Sequence, residues 1–118
     1  MKATTGSSTN ACAKTAGAEA AKKVKNGLEQ IQMAFVYASC DYDLDDMLAG
    51  IADELPGVPV IGNTSFTGVI TPEGFVGGDD GFVGIMGMTD EDLCVGVAAV
   101  EKTDGPAAAG EKAAALAM

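Results

Sequence analysis

Two hydrophobic periods follow one another between Ile31 and Thr64, and their order constrains the fold more than anything else in the chain. Ile31 to Ala38 is an almost unbroken apolar run rich in β-formers, of a length suited to a strand buried on both faces. It stops at Ser39-Cys40-Asp41. From there the period becomes helical: Leu44, Met47, Leu48, Ile51, Ala52 and Leu55 keep the i, i+3, i+4, i+7, i+8, i+11 spacing of one helix face. Asp43 is placed to cap that helix, Asp45 and Asp46 suit its positive end, and Pro56-Gly57 stops it. Pro59 to Thr64 supplies the next buried strand. Strand, helix and strand with short links make a βαβ unit, whose crossover is expected to be right-handed.

The flanks extend this unit. Lys2 to Ser8, with Thr and Ser at intervals, reads as a strand followed by a loop at Thr9-Asn10. Cys12, Ala16, Ala20, Val24 and Leu28 then recur on one side of an Ala-rich helix whose other side carries Lys14, Lys22, Lys23 and Lys25, with an exit at Asn26-Gly27. Beyond Gly68 the sequence is glycine-punctuated. Thr71-Pro72-Glu73-Gly74 is a turn signal, and Gly77-Gly78-Asp79-Asp80-Gly81 is another, with the two acids expected at a hairpin tip. Phe82 to Met88 and Leu93 to Val100 read as an antiparallel pair joined through Thr89-Asp90-Glu91-Asp92. The fold expected is α/β, a mixed sheet of about five to six strands with helices packed on it. Ala109-Gly110 with Ala113-Ala114 echoes Ala16-Gly17 with Ala20-Ala21, and Thr103-Asp104 echoes Thr9-Asn10. A second unit is therefore expected to begin in the region 97–118.

Composition removes several classes of function. The 118 residues make a single domain over 1–118, and the core must rely on Ala, Val, Ile, Leu and Met because aromatics are only 5% and Trp is absent. All 7 basic residues are lysine, none lies between Lys25 and Lys102, and the net charge is −10. No nucleic-acid partner and no anionic membrane surface fits such a chain. Cys12, Cys40 and Cys94 are odd in number and far apart, which suits a reduced compartment, and no apolar run is long enough to cross a bilayer. The expected location is the cytosol.

With no His, a Ser-His-Asp triad, a His-held metal and a His-held haem are all excluded. Cys40 precedes a helix start and is a candidate nucleophile, but Asp41 and Asp43 beside it oppose a thiolate. Asp41 to Asp46 invites a hard cation, yet it lacks the bend glycine and distal Glu of a calcium loop, and helix capping accounts for the same residues. The chain is read as non-enzymatic and without a cofactor. No Gly-rich phosphate loop is present and there is no Arg to clamp an anion. The best site lies where the strands end: Gly62, Asn63, Thr64 and Ser65, with Ser39, Asp41 and Asp43 at the end of the preceding strand. These groups suit a neutral or zwitterionic small molecule, an amine facing Asp41 or Asp43. By residue type alone, Gly62 to Ser65 fits a plain turn between strands better than a pocket wall.

Ala16-Gly17-Ala18-Glu19-Ala20-Ala21, Ala34-Phe35-Val36-Tyr37-Ala38-Ser39 with Asp41-Tyr42-Asp43, then Leu55-Pro56-Gly57-Val58-Pro59-Val60-Ile61-Gly62-Asn63-Thr64 and Gly68-Val69-Ile70, taken in that order, resemble the amino-terminal part of a FIST domain. The resemblance implies a cytosolic sensory input module that binds small ligands such as amino acids and is coupled to a signalling-output protein. It raises Gly62 to Ser65 from a turn to a pocket wall. Some members of the family are similar to haem-based sensors, from which this chain departs by lacking His. It also carries Asn63 where relatives often have Cys. The family's arrangement is longer, so the chain is expected to be a truncated form whose apolar helix face at Ala113 to Met118 drives homodimer formation. The alternative expectation is a non-catalytic assembly domain that pairs with itself or with a partner chain.

Overall fold

The computed structural model describes all 118 residues. In chain order they form β1 (Lys2–Ser8), α1 (Ala13–Gly27), β2 (Met33–Ser39), α2 (Leu44–Glu54), β3 (Val60–Ser65), β4 (Val69–Thr71), β5 (Gly74–Val76), β6 (Val83–Thr89) and α3 (Pro106–Ala117). The fold is α/β, as the two periods predict. Strands β1, β6, β2 and β3 lie in that order in one mixed sheet, and β4 with β5 forms a separate small hairpin. Strand β6 runs antiparallel to both β1 and β2, while β2 and β3 are parallel, so β1, β2 and β3 all point the same way.

Helix α1 lies across β1 and β6 and packs against α2. Ala16, Ala20, Ala21 and Val24 of α1 are buried with Met47 and Ile51 of α2, and beneath them Ala34, Val36, Ala38, Val83 and Ile85 face up from the sheet. Small residues set the spacing between the helices. A Cβ on Gly17 would lie 2.2 Å from the carbonyl oxygen of Met47, and one on Gly50 would lie 2.0 Å from that of Lys14. Each helix thus presses backbone against backbone at a glycine of the other.

The opposite sheet face has no helix on it. Phe35 pairs in register with both Ile61 and Met86, and Tyr37 lies on the same side. Tyr37, Ile61 and Met86 remain 44%, 41% and 37% exposed. The β4–β5 hairpin covers one corner of this face, with Val69 against Gly84, and its own Ile70 and Phe75 form an exposed cross-strand pair.

Several sequence expectations are corrected. Pro59 to Thr64 is not a buried strand, because β3 is the sheet's edge and Ile61 to Thr64 are exposed. The strand expected to be buried on both faces, Ile31 to Ala38, is covered on the helix side only, which leaves Tyr37 exposed. Leu93 to Val100 forms no strand. The physical reason is that β6 already has β1 on one side and β2 on the other, leaving no edge for it. Asp79 and Asp80 are not at a hairpin tip, since they lie in the loop from β5 to β6 and those two strands do not pair. Helix α3, formed where the second unit is expected, buries none of its residues. No helix is long and apolar enough to cross a membrane.

Candidate functional site

Because β1, β2 and β3 are parallel, their carboxyl ends share one rim of the sheet, and the last residue of each is a serine: Ser8, Ser39 and Ser65. The rim is the position where open α/β sheets seat ligands. Tyr42 crosses it. Its phenol donates to the backbone carbonyl of Asn10, which ties the loop after β2 to the loop after β1. Burial, with Glu19 and Cys12 nearby, pushes this phenol above its ordinary pKa, so it stays a donor.

The residues nominated from sequence divide into two groups. Ser39 and Ser65 sit opposite one another in the β2–β3 register, next to the pairs Ala38 with Thr64 and Tyr37 with Asn63. Ser39 is buried; its hydroxyl accepts from the Asp41 N–H at 3.1 Å and donates to Asp41 Oδ2 at 3.2 Å. Ser65 Oγ donates to the Gly68 carbonyl at 2.6 Å. Asn63 and Thr64 are exposed on the edge strand β3. Gly62 sits in the same strand because a Cβ there would lie 1.8 Å from the Val36 carbonyl oxygen. The structure therefore gathers Ser39, Asp41, Asn63, Thr64 and Ser65 at one end of β2 and β3. Asp43 stands apart as the cap of α2, its Oδ1 accepting from the Asp46 N–H at 3.1 Å.

A hollow of about 480 Å³ opens farther along the rim, at the end of β1, lined by Ser7, Ser8, Thr9, Asn10, Glu19, Lys23 and Val76. Glu19 is held there at both carboxylate oxygens: Oε2 accepts from Ser8 Oγ at 2.6 Å, and Oε1 from Asn10 Nδ2 at 3.3 Å. Lys23 Nζ donates to the Ser7 carbonyl at 2.7 Å. The sequence reading missed these residues, although Ser7-Ser8-Thr9-Asn10 is itself a polar run at a strand end and carried the needed signal. A larger hollow, about 910 Å³, lies at the opposite end of the sheet, where the ammonium of Met1 is paired with Asp90.

The cysteines also sort themselves. All are exposed and unpaired. Cys12 precedes the first turn of α1, where the neighbouring Thr15 holds its thiol below the ordinary range. The thiol lowered by its surroundings is thus Cys12, while the sequence weighed only Cys40 as a nucleophile and set Asp41 and Asp43 against it.

No curated protein matches the chain. The family model described as the FIST N domain matches residues 32–117. That span runs from the start of β2 through α3 and includes Ser39, Asp41, Asn63, Thr64 and Ser65. The chain belongs to the FIST family, whose domains are sensory domains of signal transduction.

Proposed function

We propose that the chain is a cytosolic, non-enzymatic sensory input module whose rim binds a small polar ligand, an amino acid or similar metabolite. The observation that carries the reading is the convergence of three parallel strand ends, each closing on a serine, with exposed Asn63 and Thr64 and a polar hollow along the same rim. Hydroxyl, amide and carboxylate groups there match a neutral or zwitterionic molecule, and no arginine is present for an anion clamp. In this reading the bound state is passed to a signalling-output protein.

The test is a thermal-shift screen of the folded chain against amino acids and other polar metabolites. At saturating ligand the melting temperature rises, because binding to the folded state alone stabilises it by mass action. No stabilisation by any compound would overturn the reading.

A second reading, assembly through apolar surfaces, is favoured by the exposed Phe66, Ile70 and Phe75 around the hairpin and by Leu116 on α3. Sedimentation equilibrium decides it: a dimer supports assembly, and a monomer throughout the micromolar range removes it.

A further inference from the structure

The two edges of the main sheet are built differently. A bare edge strand invites pairing with another chain, and proteins blunt such edges with lysines, prolines or covering elements. The β1 edge is guarded: it carries Lys2, and the Lys23 ammonium from α1 donates to its Ser7 carbonyl at 2.7 Å. The β3 edge has no such guard. Val60–Ser65 pairs with β2 alone and holds neither a charge nor a proline. No charged residue lies between Glu54 and Glu73, in a chain whose net charge is −10. The Ala34 N–H donates to the Pro59 carbonyl at 2.9 Å, so in this parallel ladder the odd-numbered residues of β3 bond to β2. The N–H and C=O groups of Val60, Gly62 and Thr64 therefore point outward along the edge.

Apolar side chains flank this edge in both layers. Helix α1 lies over β1 and β6, so α2, packed beside it, stands on the β3 side. Met47 and Gly50 of α2 meet α1. At about 100° per residue, Leu44 and Leu48 come round from that contact toward the β3 margin, where they stay 39% and 43% exposed. Ile61 is exposed on the opposite face of the sheet.

We infer that β3 pairs antiparallel with β3 of a second copy of the chain, joining two four-stranded sheets into one. A two-fold axis normal to the sheet keeps the helices of both copies on the same face. Leu44 and Leu48 then meet their counterparts above the new ladder, and Ile61 lies against the second strand below it. The occupant follows from charge. Two copies at −10 repel one another, and the stretch from Leu55 to Pro72 is where they meet without opposing like charges. A basic partner would instead be drawn to acidic surface, which this edge lacks. The edge alone is about 20 Å long, and the flanking leucines and Ile61 widen the contact toward the roughly 800 Å² that a standard interface covers on each partner. Pairing uses up the unguarded edge, so the assembly closes at two copies. The inference rests on the assembly reading and deepens it, moving the contact from the hairpin and α3 to β3 and α2; it uses nothing of the sensor reading.

The test combines sedimentation equilibrium of the full chain with amide hydrogen exchange over a concentration series. The expected result is a dimer that tightens as salt is raised, because screening relieves the repulsion between copies. Exchange at Val60, Gly62 and Thr64 should slow as the dimer fills. Thr64→Pro removes an outward N–H, a change that an edge strand tolerates, and Leu48→Gln removes an apolar contact from an exposed position. Each should raise the dimer dissociation constant at least tenfold, with circular dichroism as the check on folding, whereas Phe75→Ser at the hairpin should leave the constant unchanged. A dimer whose Val60, Gly62 and Thr64 amides exchange as fast as in the monomer, or which survives both Leu48→Gln and Thr64→Pro, would overturn the inference. Should Phe75→Ser weaken that dimer, the assembly reading stands with the hairpin as its contact. Growth beyond two copies would also overturn the inference, and a monomer throughout the micromolar range would remove it together with the assembly reading.

Discussion

Tyr42 donates its phenolic hydrogen to the backbone carbonyl of Asn10, 32 residues earlier in the chain, and so joins the exits of two parallel strands that are not neighbours in the sheet. The ring reaches this position over Gly81, where a Cβ would lie 2.1 Å from the ring and φ is +100°. Tyr42→Phe removes one hydrogen bond and is expected to cost about 1 kcal/mol. Gly81→Ala adds both a clash and a left-handed alanine, and is expected to cost about 1–3 kcal/mol. Urea unfolding of the two variants checks the order.

The helix pair depends on close backbone approach at Gly17 and Gly50. Gly50→Ala normally favours a helix through propensity. Here the added carbon meets the Lys14 carbonyl at 2.0 Å, so the substitution should destabilise the fold by about 1–3 kcal/mol. The sign of the change in denaturation midpoint is the measurement.

Asp43 caps α2 and stands with Asp45 and Asp46 at its positive end. Asp43→Ala is expected to lower stability by about 1 kcal/mol. Its shift in melting temperature should persist equally with and without a bound metabolite.

The Cys12 thiol is held low by Thr15. A lowered pKa raises the share of thiolate at any given pH relative to an unperturbed cysteine. Thr15→Val should therefore slow alkylation of Cys12 by iodoacetamide near neutral pH and bring the rates together at alkaline pH. Peptide mass mapping over a pH series reads this directly.

What the sequence revealed was local, and what it hid was long-range. Asp43 and the stripe Leu44 to Leu55 were legible because cap and helix face depend on neighbours within a few residues. Pro59 to Thr64 was legible as a strand because an apolar run stops at polar residues there, but its exposure on the sheet edge was not, since a strand's place in the sheet is set by distant partners. Leu93 to Val100 misled because β propensity says nothing of which edges are free, and both edges of β6 were taken. The hollow at β1 escaped notice because it needs Ser8 and Glu19, from a strand and a helix, to meet across 11 residues. Glu19 and Lys23 alone read as ordinary charges on a lysine-bearing helix face. The close approach of Gly17 and Gly50 depends on how two helices cross, which no single-helix period encodes.

The central claim is that ligand binding occurs on the rim where β1, β2 and β3 end. An amide-resolved NMR titration with the strongest compound from the metabolite screen tests it most directly. The account predicts saturable shifts confined to the rim, at Ser7 to Asn10, Ser39 to Tyr42 or Asn63 to Ser65, with the far end of the sheet around Met1, Gln32 and Asp90 unmoved. Shifts centred on that far end would contradict it.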